Sequence, residues 1–340
     1  MQLTPLILLN MNDFYPNIIE EGEPTPKNRF PIVAQLGILG VFMVLIFGSW
    51  LVHTSKTLVP LPAPEPDLVT DTNKYPITPQ KIEEVSLRAK GAYVWDVKGQ
   101  RALYSKNADQ ALPLASITKL MTTLLTYELV SEDNKVSVPL SAILQEGSSG
   151  LSEGEELTTE ELTQLALISS SNDAAYSLAA SVGSLLGKQD PASQFVEGMN
   201  IRAGELGLNT LRFKNPTGLD VSSTEPGAVG SARDVSFLME YIITNYPTVI
   251  TPTQQSAARI YNTAGAYHEA NNTNEVVLKI PNMIGSKTGY TDLAGGNLTI
   301  AFDAGLDRPI IITVLGSTYD ERFSDVLTLV DAVQKSLTSQ

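Results

Sequence analysis

Residues 112–125 read LPLASITKLMTTLL, and here Ser116 stands three residues before Lys119 at the start of an apolar run that follows Pro113. Proline suits the entry of a helix, and the apolar spacing predicts a helix over Ala115–Val130. Side chains three apart share a helix face, so the hydroxyl and the amine come within hydrogen-bond reach. A serine hydroxyl is a weak nucleophile that needs a base, and a neutral lysine can serve as one. The bland reading of Ser-x-x-Lys is a surface pair, because the pattern alone is common.

Upstream of this segment, GAYVWDV (91–97) and Arg101–Ser105 flank Lys98-Gly99-Gln100 as a hairpin. Downstream, Thr158-Thr159-Glu160-Glu161 carries capping chemistry for a helix through about Ser169, and a second helix is expected from Asp173 to Val182. Further helices are expected over Ser193–Leu206 and Ala232–Thr244. Two β-rich runs, Gly296–Ala304 and Pro309–Ser317, surround Gly305-Leu306-Asp307, and Asp320–Leu337 closes the chain as an amphipathic helix. Strands first and last around a helical middle predict an α+β fold: a mainly antiparallel sheet flanked by helices, with an inserted helical lobe.

At the amino end, FPIVAQLGILGVFMVLIFGSWLV (Phe30–Val52) holds no charge, and only Gln35 and Ser49 are polar. That length crosses a hydrocarbon core of about 30 Å as a helix. Lys27 and Arg29 precede it and Lys56 follows, a slight positive-inside bias. The expected organisation is a cytoplasmic tail over 1–29, an uncleaved transmembrane signal anchor over 30–53 and a Pro-rich, extended linker over 54–80. A folded domain then occupies 81–340, outside the cytoplasm.

Composition narrows the chemistry. The chain has 340 residues with 37 acidic against 23 basic, a net charge of −14, and no basic block, so nucleic acid is not an expected partner. With no cysteine, thiolate catalysis, Fe–S clusters and Cys-type zinc sites are excluded. Only His53 and His268 exist, too few for a zinc peptidase. His268 could complete a Ser-His-Asp triad, yet no Gly-x-Ser-x-Gly elbow is present.

Two more segments bear on Ser116 and Lys119. In LALISSSNDAAYSLAA, Ser170-Ser171-Asn172 falls at the junction of two predicted helices, where side chains can enter a cleft or simply cap a helix. In NMIGSKTGYTDLAGGNLTIAF, Lys287-Thr288-Gly289 precedes a β-rich run, and the glycine lets a ligand backbone approach a strand edge. Its bland reading is a turn with a solvated lysine. Ser-x-x-Lys, Ser-x-Asn and Lys-Thr-Gly in this order match the three-motif set of penicillin-binding enzymes and serine β-lactamases.

The flanks LYSKNADQALPLASITKLMTTLL, EGEELTTEELTQLALISSSNDAA, FVEGMNIRAGELGLNTLRFKNPTGLD, SARD, NTN and GSKTGYTDLAGGNL resemble the D-alanyl-D-alanine carboxypeptidases, low-molecular-mass penicillin-binding proteins of the serine peptidase class. The resemblance covers about residues 82–338. It implies a β-lactamase/D,D-peptidase-like fold, an antiparallel sheet flanked by helices with an inserted all-helical lobe, and makes 81–340 an extracytoplasmic bacterial D,D-peptidase domain; with the apolar run, the expectation is a single-pass bacterial cell-membrane protein. By resemblance, Ser116 is the acyl-enzyme nucleophile, Lys119 its base, Ser170 a proton relay and Asn172 a holder of the substrate peptide. Lys287 and Thr288 of Lys287-Thr288-Gly289 would bind the terminal carboxylate, assisted by Arg322, and the N–H groups of Ser116 and Tyr290 would form the oxyanion hole.

Burial and the nearby Lys287 are both expected to lower the pKa of Lys119. The implied partners are peptidoglycan stem peptides, β-lactams as acylating inhibitors and a membrane reached through the amino-terminal helix. No metal or organic cofactor is expected. Two positions depart from the family pattern: Thr217 stands where histidine is frequent, and Ser171 where Gly or Ala is. Many longer relatives continue into a carboxy-terminal anchor, so attachment is expected here at the amino end.

The leading expectation is removal of the terminal D-Ala from stem pentapeptides. D,D-endopeptidase action on cross-links uses the same parts and is not separated by the motifs. A serine β-lactamase shares the trio, although no Glu-x-x-x-Asn segment of the class A type stands out, and a silent wall-binding module is the non-enzymatic alternative.

Overall fold

The computed structural model describes residues 80–83, 85–147, 150–187 and 190–338. The predicted tail, the signal anchor and all of the linker except Gln80 lie outside these residues. Among the described residues no helix is long and apolar enough to cross a membrane.

The chain opens with β1 (Gly91–Asp96), β2 (Arg101–Lys106) and the short β3 (Leu112–Pro113), then a 3-10 turn over Ala115–Thr118 and α1 (Lys119–Leu129). Next come β4 (Lys135–Ser137), α2 (Leu140–Ile143), β5 (Glu156–Thr158), α3 (Thr159–Ile168), α4 (Asn172–Leu186) and α5 (Pro191–Glu205). After β6 (Arg212–Phe213) and β7 (Ala228–Gly230) follow α6 (Ala232–Asn245) and α7 (Pro247–Ile250). The hairpin β8 (Ala257–Tyr261) and β9 (Tyr267–Asn271) precedes β10 (Met283–Thr291), β11 (Gly295–Asp303), β12 (Pro309–Ser317) and α8 (Glu321–Thr338).

First and last strands combine in one antiparallel five-stranded sheet of order β10-β11-β12-β1-β2. Both of its faces are covered, so β12 carries the continuous run Ile310-Ile311-Ile312 and not a polar alternation. Ile310, Ile312 and Val314 pack with Leu298, Ile300 and Phe302 against Phe323, Val326, Leu329 and Val333 of α8, whose spacing is that of one helix face. Ile311 and Leu315 point the other way, into a core with Leu120 and Leu124 of α1 and Val235, Leu238 and Met239 of α6. A separate core joins α3 and α4 to the β4–β5 and β8–β9 hairpins. The inserted lobe is therefore mostly helical and not all-helical.

The capping reading at Thr158 is met in full: its side chain accepts from Glu161 N, and Glu161 Oε2 accepts from Thr158 N at 2.6 Å. Two of the shifted element boundaries bear on the site. The helix expected from Ala115 begins as a 3-10 turn, because Ala115 takes φ 47°, outside the helical region. The helix expected from Asp173 begins at Asn172, capped by the Ser171 side chain. Lys287-Thr288-Gly289 precedes the β-rich run, which is β11, and itself lies inside the edge strand β10.

Candidate active site

Ser116 sits in the 3-10 turn and Lys119 opens α1. In 3-10 geometry the side chains at i and i+3 eclipse, and Lys119 Nζ lies 2.8 Å from Ser116 Oγ. The same nitrogen donates to Asn172 Oδ1 at 2.7 Å and to the Thr217 carbonyl at 2.8 Å. Those two oxygens can only accept. A neutral amine has two N–H groups and one lone pair, so once both carbonyls are served the lone pair faces Ser116 Oγ. Lys119 is fully buried, and burial lowers its pKa to about 7, which populates the base form at neutral pH.

The turn that presents Ser116 is held from three sides. Thr118 Oγ1 donates to the Ala115 carbonyl at 2.7 Å. Asn297 Nδ2, wholly buried on β11, donates to the carbonyls of Pro113 and Leu114 at 3.0 Å each, while its Oδ1 accepts from Gly316 N. Gly289 on β10 meets the turn directly: a Cβ there would stand 2.7 Å from the Leu114 carbonyl and 3.1 Å from Ser116 N. The close approach that this glycine permits is therefore made by the chain's own Ser116 turn. It also sets Ser116 N beside the strand that carries Tyr290.

A second wall comes from the α3–α4 junction. Ser170 adopts φ 62°, a left-handed conformation uncommon for serine, and its Oγ accepts from Lys287 Nζ at 2.9 Å. Ser171 Oγ accepts from Ala174 N at 2.9 Å, so this departure from the family pattern serves as the cap of α4. Asn172 is tied on both sides of its amide, by Lys119 at Oδ1 and by donation to the Glu146 carbonyl at 2.7 Å from Nδ2. Its contacts thus lie with Lys119 and with Glu146. At the other departure, Thr217, the backbone oxygen reaches Lys119 while the hydroxyl bonds Asn215 Oδ1 at 3.0 Å.

The third wall is β10. Lys287 is buried, and its Nζ also donates to the Thr288 carbonyl at 2.9 Å. Thr288 Oγ1 lies 2.6 Å from Thr273 Oγ1. Arg322 Nη1 donates to the Gly289 carbonyl at 3.2 Å, and its guanidinium stacks 4.2 Å from the Tyr319 ring centroid. Tyr290 is exposed and packs edge-on against Tyr319. Burial, then Lys119 and Arg322, hold the Lys287 amine well below the usual lysine range. For Lys119, by contrast, burial is the cause of the shift and the expected contribution of Lys287 is not resolved.

Among the described residues no carboxylate lies within ion-pair distance of Lys119, Lys287 or Arg322. Buried basic groups with no carboxylate at ion-pair distance are costly in the charged form unless they shed protons or receive an anion. The triad reading of His268 fails, because its Nε2 bonds Glu155 Oε1 at 2.6 Å, whereas the group beside Ser116 Oγ is the Lys119 amine.

The structure brings Ser116, Lys119, Ser170, Asn172, Lys287, Thr288, Gly289 and Arg322 into one connected cluster. Thr217, Asn297 and Thr273 belong to it as well. All three stood in the quoted segments, but a backbone carbonyl, or an amide facing one, leaves no residue-type signature.

This pairing of a buried lysine with a serine, between an antiparallel sheet and a helical lobe, is that of a serine peptidase. Residues 78–318 match the family model described as D-alanyl-D-alanine carboxypeptidase, and the chain belongs to that family. It is 33% identical over 260 residues to the D-alanyl-D-alanine carboxypeptidase DacF of Bacillus subtilis, covering 74% of this chain and 64% of that relative. A D-alanyl-D-alanine endopeptidase of Escherichia coli is 29% identical over 66% of this chain and 70% of its own length. Among solved structures, a Listeria monocytogenes penicillin-binding protein in its ampicillin-bound form is similar with TM-score 0.62 and 29% identity, covering 74% of this chain and 98% of that one.

Proposed function

We propose that the chain is a serine D-alanyl-D-alanine carboxypeptidase that removes the terminal D-Ala from peptidoglycan stem pentapeptides through an acyl-enzyme on Ser116. The observation that carries this reading is the bond between Lys119 Nζ and Ser116 Oγ, with the lysine buried and its pKa near 7. Neutral Lys119 takes the Ser116 proton as Oγ attacks the penultimate D-Ala carbonyl. The N–H groups of Ser116 and Tyr290 stabilise the oxyanion, and the leaving D-Ala amine takes a proton from the lysine. Water then hydrolyses the ester with Lys119 again as base. Lys287, Thr288 and Arg322 attract the terminal carboxylate, which supplies the anion that the buried cations lack. Ser170, bonded to Lys287, relays a proton, and Asn172 fixes the base. β-Lactams, which offer a carboxylate and a strained amide, acylate the same serine.

The apolar run Phe30–Val52 supports anchorage in a bacterial cell membrane by one helix, with the catalytic domain outside the cytoplasm. D,D-endopeptidase action is the second reading, favoured by the likeness to relatives bearing that name. The experiment gives the full chain a stem pentapeptide and a cross-linked muropeptide dimer beside Ser116→Ala, followed by mass spectrometry. Loss of one D-Ala, absent in the variant, is expected. Cleavage of the dimer alone assigns the endopeptidase, and inertness toward both overturns the enzymatic reading.

A further inference from the structure

Thr273 lies in the short segment between β9 and β10, outside the three motifs, yet its hydroxyl oxygen is 2.6 Å from that of Thr288. The segment is held from several directions. Thr273 N donates to the Ile168 carbonyl at 3.1 Å, two residues before Ser170. Asn272 Nδ2 donates to the carbonyls of Thr253 and Gln255 at 2.8 and 2.7 Å. The buried Asn274 donates to Ser286 Oγ at 3.0 Å. Thr273 therefore spans from the end of α3 to β10 with both neighbours fixed.

We propose that Thr273 is a positioning residue for anion capture: its hydroxyl donates to Thr288 Oγ1, so that the single Thr288 proton is directed to the ligand carboxylate. The inference rests on the carboxylate-binding role proposed above for Lys287 and Thr288. Proton counting supports it. Each hydroxyl has one proton, and an arriving carboxylate can only accept. When Thr288 donates to the ligand, its oxygen is free to accept, and Thr273 is the donor within reach. Without ligand, the Thr273 proton has the Ile168 carbonyl at 3.5 Å as its second acceptor. The chain Thr273 to Thr288 to carboxylate polarises the terminal donor, because a hydroxyl that accepts while donating is the stronger donor.

The experiment compares acylation of the full chain by benzylpenicillin and by its methyl ester, followed by intact mass. The samples are wild type, Thr273→Val, Thr273→Ala and Thr273→Ser. Each comparison is a ratio of acid to ester on one sample, so a change in the folded fraction cancels. Loss of the hydroxyl in the Val and Ala variants is expected to lower efficiency toward the acid about three- to tenfold, leave the ester unchanged, and be restored in Thr273→Ser. With the pentapeptide the loss appears in KM and not in kcat. Equal losses with acid and ester, or a fall in kcat at unchanged KM, overturn the proposal. Absence of acylation in wild type overturns the site reading beneath it and is seen separately, before any variant is compared.

Discussion

Gly218 abuts Ala115 so closely that a Cβ at position 218 would stand 1.9 Å from the Ala115 carbonyl oxygen and 2.7 Å from Thr118 Oγ1. Both ends of this contact have left-handed backbone, φ 82° at Gly218 and φ 47° at Ala115. The obstacle is backbone and cannot rotate away. Gly218→Ala therefore shifts the turn that presents Ser116. The expected cost is about 1–3 kcal/mol of overpacking together with about 1–2 kcal/mol for alanine in the left-handed region. Thermal melting reads the stability loss, and fluorescent-penicillin labelling is expected to fall by more than the folded fraction does. Labelling that merely tracks the folded fraction would show that the contact supports the fold without setting the nucleophile.

Lys119 acts as base only when neutral. Its folded pKa lies near 7, far below the usual lysine value of 10.5, so the active form prevails above pH 7 and is lost as pH falls through it. Acylation efficiency is expected to rise about tenfold per pH unit below 7 and to level above it. Lys119→Arg keeps the charge but never offers a lone pair, and acylation is expected to vanish. A flat pH profile, or full labelling of the Arg variant, removes lysine from the role of base.

How far this site was legible before the structure depends on what carried the signal. Ser116, Lys119 and Lys287 act through their own side chains, and their spacing on an apolar helix and a β-rich segment marked them. The central strands β1, β11 and β12 were readable because runs buried on both faces carry few polar residues. Strand β10 was not, since MIGSKTGYT mixes glycine and polar residues, explained only by the Ser116 turn against Gly289 and by the burial of Lys287. The β8–β9 hairpin escaped too. Its alternation is short, and its inward face carries Ile260, Ala270, part of Ala258 and the polar His268. The 3-10 turn at Ser116 depends on Asn297, far along the chain, so no local reading could supply it.

Asn297 is a single amide satisfying three backbone groups of the nucleophile turn and β12. Asn297→Ala leaves the Pro113 and Leu114 carbonyls and Gly316 N without that partner. Buried groups so stranded cost roughly 1–3 kcal/mol each before relaxation, with water able to recover part of it. The expected result is a lower Tm and a fall in acylation efficiency, both larger than for an exposed Asn→Ala control such as Asn209→Ala. An unchanged acylation rate per folded molecule would separate the amide from the geometry of Ser116.

His268 supplies the converse test. It lies on β9, and its Nε2 holds Glu155 Oε1, a carboxylate that also accepts from Asn262 Nδ2 at 2.7 Å and, through Oε2, from Ser152 N at 3.0 Å. Burial pushes the Glu155 carboxyl up, but the hydrogen bonds from His268, Asn262 and Ser152 outweigh it and leave the group below the usual glutamate range. A carboxylate with a depressed pKa contributes stability that is present above its unfolded pKa and lost as pH falls through its folded one. His268→Ala is therefore expected to lower Tm at pH 7, and its gap from wild type is expected to narrow as pH falls below about 4.5, where Glu155 begins to protonate in the unfolded chain. Acylation of Ser116 is expected to be unchanged, because the hairpin pin and the Ser116–Lys119 pair share no hydrogen bond. A variant that folds but no longer acylates would return the histidine to the catalytic machinery and displace lysine as the general base.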